Sequence, residues 1–368
     1  MGRDRARHRG VAGAATTVNL PHLDRLVDAV QTNCHIADAS HAADMTLCIY
    51  LLQMREFFRW EQGIAPMQRL PNDEVGAWLA QRESLWTSLE GEPFAPLPLQ
   101  GGSFDPFDAA AVNAQLRPFG LVYGAGYTAP GCASFFLGEL LRVQSRDGIE
   151  LLVSGCEHAR GLAAAPAVLA GSKVLLRQES LARWIWEKFE AWTLKRQEGP
   201  FKAALDAYGF DRLGPAAVER LIEAEAETLV LHELGEHRAG RLLGPDWQTL
   251  RNVLVSRRTD LYVRAARDHL ADCLVTLPTL LLRRSDASLH FWFANLEGVR
   301  ALLFPRLMAA YSAWCAGDDG AALRDALAAG ATHWARACQQ FLTLHRRPGA
   351  DGPSLVDECV ESPDWVLH

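Results

Sequence analysis

Apolar positions recur at helical spacing along most of the chain, and the segments that break this rhythm are short. From about Leu20 to Gly63 the pattern predicts two helices meeting near Ala39-Ser40. Ser40 is placed to cap the second of them, which runs through Cys48, Tyr50, Met54 and Phe58 to Trp60. Asn72 can cap a third, with Val75, Trp78, Leu79, Arg82, Leu85 and Trp86 at helical intervals. Residues 90–105 are rich in Pro and Gly and read as a loop. Phe135 to Val143 and Ile149 to Val153 then flank Asp147-Gly148, the pattern of a β-hairpin, and Gly120 to Tyr127 offers a further strand. Helical periodicity returns near Glu179 and lasts to about His345, with breaks at Gly199-Pro200, Gly214-Pro215, Gly244-Pro245, Pro278 and Gly317 to Gly320.

These elements predict a mainly α protein, a helical bundle-like domain carrying a small antiparallel β insert. Residues 19–118 and 156–348 are expected to be helical and to pack as one domain, with the insert at 119–155. Residues 1–18, rich in arginine and small side chains, are expected to form a disordered tail, and 349–368 an irregular one.

The segment 215–243 is the longest helix in the pattern. Pro215 suits its first turn and Gly244-Pro245 its end. At about 100° per residue, Val218, Ile222, Glu225, Leu229, His232, Glu236 and Leu243 fall within roughly 40° of one line. That line begins and ends apolar, so it is the natural core-facing stripe, and Glu225, His232 and Glu236 would be carried inward. Buried charge must be paired or bound to metal. The text LHELGEH invites comparison with the zincin motif, but that motif needs histidines four apart on one helix face. His232 and His237 are five apart, about 140° around the helix. The usable pairs are His232 with Glu236 and Glu233 with His237; the alternative is a charged helix whose glutamates pair with Arg238, Arg241 or arginines elsewhere.

A second cluster lies at 33–61. His35, Asp38, His41 and Asp44 recur every three residues, a spacing that brings side chains to one side of a helix or helix junction. Mixed histidine and carboxylate ligands suit iron or manganese, and zinc less well here. Further on, Arg55, Glu56 and Arg59 stand among large apolar residues. Leu47, Tyr50, Leu51, Met54, Phe57 and Phe58 occupy one side and Cys48 and Leu52 the other, which predicts burial on both sides and internal pairing of the charges. An internal arginine is also suited to hold an anionic substrate through bidentate contacts.

Composition narrows the classes. The chain has 368 residues, 49% hydrophobic and 22% charged, which is ordinary for a globular protein, and its net charge of −7 argues against a dedicated nucleic-acid coat. Eight cysteines are scattered without a Cys-x-x-Cys pair, so a reduced, cytoplasmic setting is expected over a disulfide scaffold. No apolar run approaches the roughly 18 residues a membrane helix needs.

The spacing of Glu225 and His232 resembles one helix of the haem-oxygenase-like di-iron oxidases. In that family a separate helix adds His and Asp/Glu ligands, positions that His35, Asp38 and His41 would imitate. The resemblance covers these two segments. The chain also resembles an uncharacterised bacterial protein family through Cys34-His35-Ile36-x-Asp38-Ala39, Met54-Arg55-Glu56 and Arg59-Trp60-Glu61, the LVLHELGEH stretch at 229–237 and FANLEG at 293–298. That likeness implies no activity.

Together these readings predict a metal-dependent enzyme, a di-iron or manganese oxidase or oxygenase acting on a small anionic substrate. Asp38, His41, Asp44, Glu225, His232 and Glu236 would hold one or two ions, and Arg55, Glu56 and Arg59 would serve as the catalytic or substrate-orienting groups. The alternative is a non-enzymatic helical protein that presents the basic run Arg251, Arg257, Arg258, Arg264 and Arg267 to a protein or RNA partner. Were that run to open onto a cavity, it would attract a phosphate or carboxylate. Three weaker signals remain. YGAGYTAPG at 123–131 lacks the third glycine of a dinucleotide loop. Glu157-His158 reads as a surface pair, and His290 and Glu297 would share a face if their segment is helical.

Overall fold

The computed structural model describes residues 20–42, 45–66, 68–129, 132–347, 351–362 and 365–368. It is 65% helical, so the mainly α expectation holds, but the β portion is a curled, mixed five-stranded sheet plus a two-stranded one rather than a small insert. The single helical domain expected from the sequence is divided into two compact units. One comprises the chain up to Gln144 with Leu151–Pro166 and Leu175–Glu190; the other comprises Ser145–Glu150, Ala167–Val174 and the chain from Ala191 onward.

The first unit opens with α1 (Leu23–His41), α2 (Leu47–Glu61) and α3 (Asn72–Leu89). Leu26, Val30, Cys34 and Ala37 form the buried stripe of α1 at helical spacing. α1 continues to His41 and α2 starts at Leu47, so the two helices do not meet at Ala39-Ser40 as expected. Ser40 is no cap: its hydroxyl donates to the Ile36 carbonyl inside α1. The first two turns of α2 are also not buried on both sides, because Leu47, Ile49, Leu51 and Leu52 are exposed. Burial begins at Met54, where Phe57 and Trp60 stack and Trp78 of α3 meets Phe57 edge-on.

After β1 (Leu97–Leu99), β2 (Gly102–Phe104) and α4 (Ala109–Leu116), the main sheet is built from β3 (Leu121–Ala129), β4 (Cys132–Arg146), β5 (Ile149–Arg160), β6 (Ala167–Ala170) and β7 (Lys173–Arg177) in the order β3-β4-β5-β7-β6. β3 and β4 are antiparallel, pairing Tyr123 with Leu137 and Ala125 with Phe135. Leu121, Tyr123, Phe135 and Leu137 pack toward α1 and α4, while Val122, Phe136 and Leu152 form a second cluster. Both faces of this part are therefore apolar. Asp147 and Gly148 link β4 to β5 with positive φ at both positions, as a two-residue hairpin turn requires. Residues 156–177, read from the sequence as helical, are strand and turn; β6 and β7 are short strands joined by Gly171-Ser172, with Gly171 at positive φ.

α5 (Gln178–Lys195) leads to the helices of the second unit: α6 (Pro200–Ala207), α7 (Phe210–Leu213), α8 (Pro215–Leu243), α9 (Asp246–Val253), α10 (Arg257–Ala271), a π-helical turn at Asp272–Thr276, α11 (Leu277–Leu282), α12 (Asp286–Ala294), α13 (Gly298–Leu303), α14 (Pro305–Cys315), α15 (Ala321–His345) and α16 (Gly352–Val360). Its core gathers Leu231, Val263, Leu270, Phe304, Trp334 and Phe341. α16 replaces the irregular tail expected at the C-terminus. The Asp351 side chain accepts from the Ser354 amide to cap it, and Val356 and Val360, four apart, are buried. All eight cysteines are free thiols. No helix of the described residues is long and apolar enough to cross a membrane.

Candidate metal centre

The centre is built on α8 and α10, and Gly235 is the reason they meet. A Cβ at Gly235 would lie 2.5 Å from the carbonyl oxygen of Ala271, a distance no side chain tolerates. Without that side chain the two helix backbones come into contact. The residues flanking Gly235 on α8, His232 and Glu236, then face Arg267 and Asp268 of α10 and Asp272 at the start of the π-turn. π-turns of this kind are uncommon and concentrate at functional sites.

A His232 ring nitrogen and one carboxylate oxygen each from Glu236 and Asp268 lie within 4.8 Å of one another, the one such group of metal-competent side chains found among the described residues. The ring is fixed from its other side. Asp272, fully buried, has Oδ1 2.8 Å from His232 Nδ1, and its Oδ2 accepts from Arg300 Nη2 at 2.5 Å. With Nδ1 donating to Asp272, Nε2 is turned toward Glu236, whose Oε1 is 3.6 Å away. A carboxylate behind a histidine in this way sets the tautomer and raises the basicity of the free nitrogen.

The electrostatics are those of a tightly paired interior cluster. Burial opposes charge on His232, but Asp272 and Glu236 outweigh it and raise the imidazole well above its ordinary value. Burial likewise opposes charge on Asp272, yet His232 and Arg300 hold it below the usual carboxylate range. Glu236 is also held low, against its burial, by His232 and Arg267. Burial raises Asp268 and the neighbouring Glu233. Arg267 Nη2 reaches Glu236 Oε1 at 2.5 Å and Asp268 Oδ1 at 3.3 Å, so a guanidinium now serves the same two carboxylates a cation would use.

The other residues singled out by the sequence lie elsewhere. Glu225 is fully buried on α8, but its Oε1 accepts from the Tyr208 hydroxyl at 2.9 Å, and burial raises its pKa. Its burial is thus met by a hydrogen bond and a tendency toward the neutral acid. Asp38 and His41 belong to the first unit and find their neighbours there. Both Asp38 oxygens accept from the Leu162 amide, at 3.0 and 2.9 Å, and burial pushes its carboxyl up to about 7. His41 Nδ1 lies 3.5 Å from Cys132 Sγ. Asp44 lies outside the described residues. Asp38 and His41 thus have the contacts described here within the first unit, and His232 and Glu236 have theirs within the second.

The proposed catalytic trio divides as well. Arg59 is buried, and its donors are taken by Glu56 at 3.1 Å, the carbonyls of Ala65 and Gln68 at 2.9 and 2.8 Å, and Glu190 at 3.3 Å. It clamps the turn after α2. Glu56 is its partner, and Arg55 is exposed. His35 accepts from Arg82 Nη1 at 2.6 Å; burial and that guanidinium lower its pKa to about 3, so it is neutral.

Three further expectations are corrected. Glu157 is no surface residue: it is buried in a bidentate pair with Arg177, at 3.0 and 2.8 Å, and accepts from Ser180 at 2.6 Å. His290 and Glu297 do not share a helix face, because α12 ends at Ala294; His290 instead contacts the Tyr311 hydroxyl at 2.7 Å. The basic run is largely paired, with Arg264 2.9 Å and Arg251 3.6 Å from Asp260.

Of the residues in this cluster, the sequence singles out His232 and Glu236 but not Asp268, Asp272 or Arg300. The available signal was Asp268 and Asp272, four apart in AARDHLADCLVTL, where the second carboxylate stands inside an apolar run.

Sequence profiles of a family of unknown function (DUF6866) match both parts of the chain, the N-terminal domain over residues 25–177 and the C-terminal domain over 182–363. Searches of curated proteins and of solved structures give no match. The two profiles meet near the start of α5, close to where the compact units divide, and between them they span most of the chain, which therefore belongs to the DUF6866 family.

Proposed function

We propose that this protein is a metal-dependent enzyme whose second unit holds a single iron or manganese ion between His232, Glu236 and Asp268. The observation that carries this reading is the orientation of His232: Asp272 takes Nδ1, leaving Nε2 facing the Glu236 carboxylate. Ligand atoms bound at about 2.1 Å sit ~3–3.5 Å apart around one ion, so the 3.6 Å contact needs little closure. One nitrogen and two carboxylates form a hard, open donor set that suits iron or manganese. A second ion finds less support, since Glu225 is engaged by Tyr208.

When bound, such an ion supplies Lewis acidity and, for iron or manganese, one-electron chemistry. The chain's own contributions are separate. Asp272, anchored by Arg300, keeps the imidazole in the ligating tautomer. Arg267 neutralises Glu236 and Asp268 until a cation takes its place. The alternative of a basic face for a protein or RNA partner is not adopted, because Arg251, Arg264 and Arg267 already contact carboxylates of the same unit.

The test is metal content after anaerobic loading with iron or manganese and removal of loose metal. One ion per chain, lost in Asp268→Ala, is expected; a folded wild-type chain that retains none would refute the reading.

A further inference from the structure

One buried carboxylate beside the proposed centre has no partner. Glu233 is 8% exposed, and among the described residues it takes part in no hydrogen bond or ion pair. It follows His232 directly on α8 and stands three positions before Glu236. A buried carboxylate in that state is costly, and a cation brought against it relieves the cost.

The cation nearest to hand is Arg267, which is paired elsewhere. Its Nη2 lies 2.5 Å from Glu236 Oε1 and 3.3 Å from Asp268 Oδ1, while its Nε is buried without a hydrogen-bond partner. The guanidinium and the Glu233 carboxylate already act on one another electrostatically. Residues three apart on a helix have Cβ atoms about 5–6 Å apart, so passing from Glu236 to Glu233 asks Arg267 for a change of rotamer rather than a shift of α8 or α10.

An ion at His232, Glu236 and Asp268 makes that change favourable. It brings a divalent charge to the carboxylates that Arg267 now shares, and like charges a few ångströms apart repel strongly in a partly buried site. A guanidinium cannot respond by losing a proton. It has to change partner, and Glu233 is the unpaired carboxylate within reach.

On the reading of a metal at His232, Glu236 and Asp268, we propose that Glu233 is a positioning residue of the centre, which receives Arg267 when the ion displaces that guanidinium from Glu236 and Asp268. Metal loading then exchanges one ion pair for another instead of stranding a buried cation. Glu233 acts through Arg267 and is not itself a ligand, so its contribution to metal affinity vanishes when Arg267 is removed. A ligand, or a carboxylate that merely attracts the ion through space, would contribute with or without Arg267.

The test joins an affinity cycle to a structure, both on the full chain. Manganese affinity is measured for wild type, Glu233→Gln, Arg267→Ala and the double variant from the paramagnetic resonance signal of the free ion. Glu233→Gln should weaken binding about tenfold or more, because the displaced guanidinium loses its charged partner. Arg267→Ala should leave binding equal or tighter, and adding Glu233→Gln to it should change affinity less than about threefold. A crystal structure of the manganese-loaded wild type should show Arg267 paired with Glu233, and it decides the matter alone if a variant fails to fold. Equal losses from Glu233→Gln in both backgrounds, Arg267 still seated on Glu236 or Asp268, or Glu233 bound to the ion would overturn this inference and leave the metal reading standing. A folded wild-type chain that binds no manganese would overturn the metal reading, and this inference with it.

Discussion

Gly235 of α8 lies against the carbonyl of Ala271 on α10, with no room between them for a methyl group. This contact sets the distance at which His232 and Glu236 meet Asp268 and Asp272. Glycine inside a helix costs about 1 kcal/mol relative to alanine, so on propensity alone Gly235→Ala would stabilise α8. Steric overlap with backbone reverses the sign. A net loss of ~1–3 kcal/mol is expected, measured as a lower denaturation midpoint, together with weakened metal binding as the helices separate. A variant as stable as wild type would show that the close approach is not needed.

Asp272 carries the second prediction. Asp272→Asn keeps the size of the side chain but removes the charge that holds His232 and Arg300. Metal affinity should fall about 10–100-fold, read by competition with a chromophoric chelator. Unchanged affinity would mean that the imidazole is oriented without it.

The pH dependence has a defined sign. His232 is raised in the folded chain, so its stabilising contribution is complete below the unfolded value of about 6.5 and is lost as pH rises through the folded pKa. Asp272 and Glu236 are depressed, so theirs is complete above about 4 and is lost as pH falls. Metal-free protein should therefore lose stability on the alkaline side, and His232→Gln should flatten that limb. With metal bound the trend reverses, because the ligand is the neutral ring and protons compete with the ion. Thermal denaturation across pH 5–9, with and without metal, checks both statements.

In the first unit, Glu157 and Arg177 form a fully internal pair. Removing one partner by Glu157→Leu strands a buried guanidinium and should cost about 3–5 kcal/mol. The double variant Glu157→Leu with Arg177→Leu should lose less than the single one. Denaturant titration of the three proteins decides it; a single variant no worse than the double would show that the pair contributes little.

The sequence exposed some of this arrangement and hid the rest for identifiable reasons. α8 was legible from end to end because Gly214-Pro215 and Gly244-Pro245 punctuate a long amphipathic pattern. The inward stripe with His232 and Glu236 was legible from the same periodicity. Which helix faces that stripe was not, because periodicity describes one helix at a time. Gly235 was the overlooked clue: an isolated glycine amid strong helix formers marks close backbone packing. Glu157 departs from the surface position expected for it because strand β5 extends past the hairpin and carries it to a buried strand position. Asp38 reads from the sequence as a metal ligand and Arg59 as a catalytic or substrate-orienting group, whereas in the first unit Asp38 accepts from a backbone amide and Arg59 holds a turn.

The central claim is that His232 ligates a metal through the nitrogen that Asp272 leaves free. Pulsed electron paramagnetic resonance of manganese-loaded protein tests it directly, because a directly bound imidazole nitrogen gives a resolved coupling to the ion. The account predicts coupling from one histidine nitrogen in wild type and its loss in His232→Ala. A coupling that persists in His232→Ala, or a folded wild-type protein that binds no manganese, would contradict it.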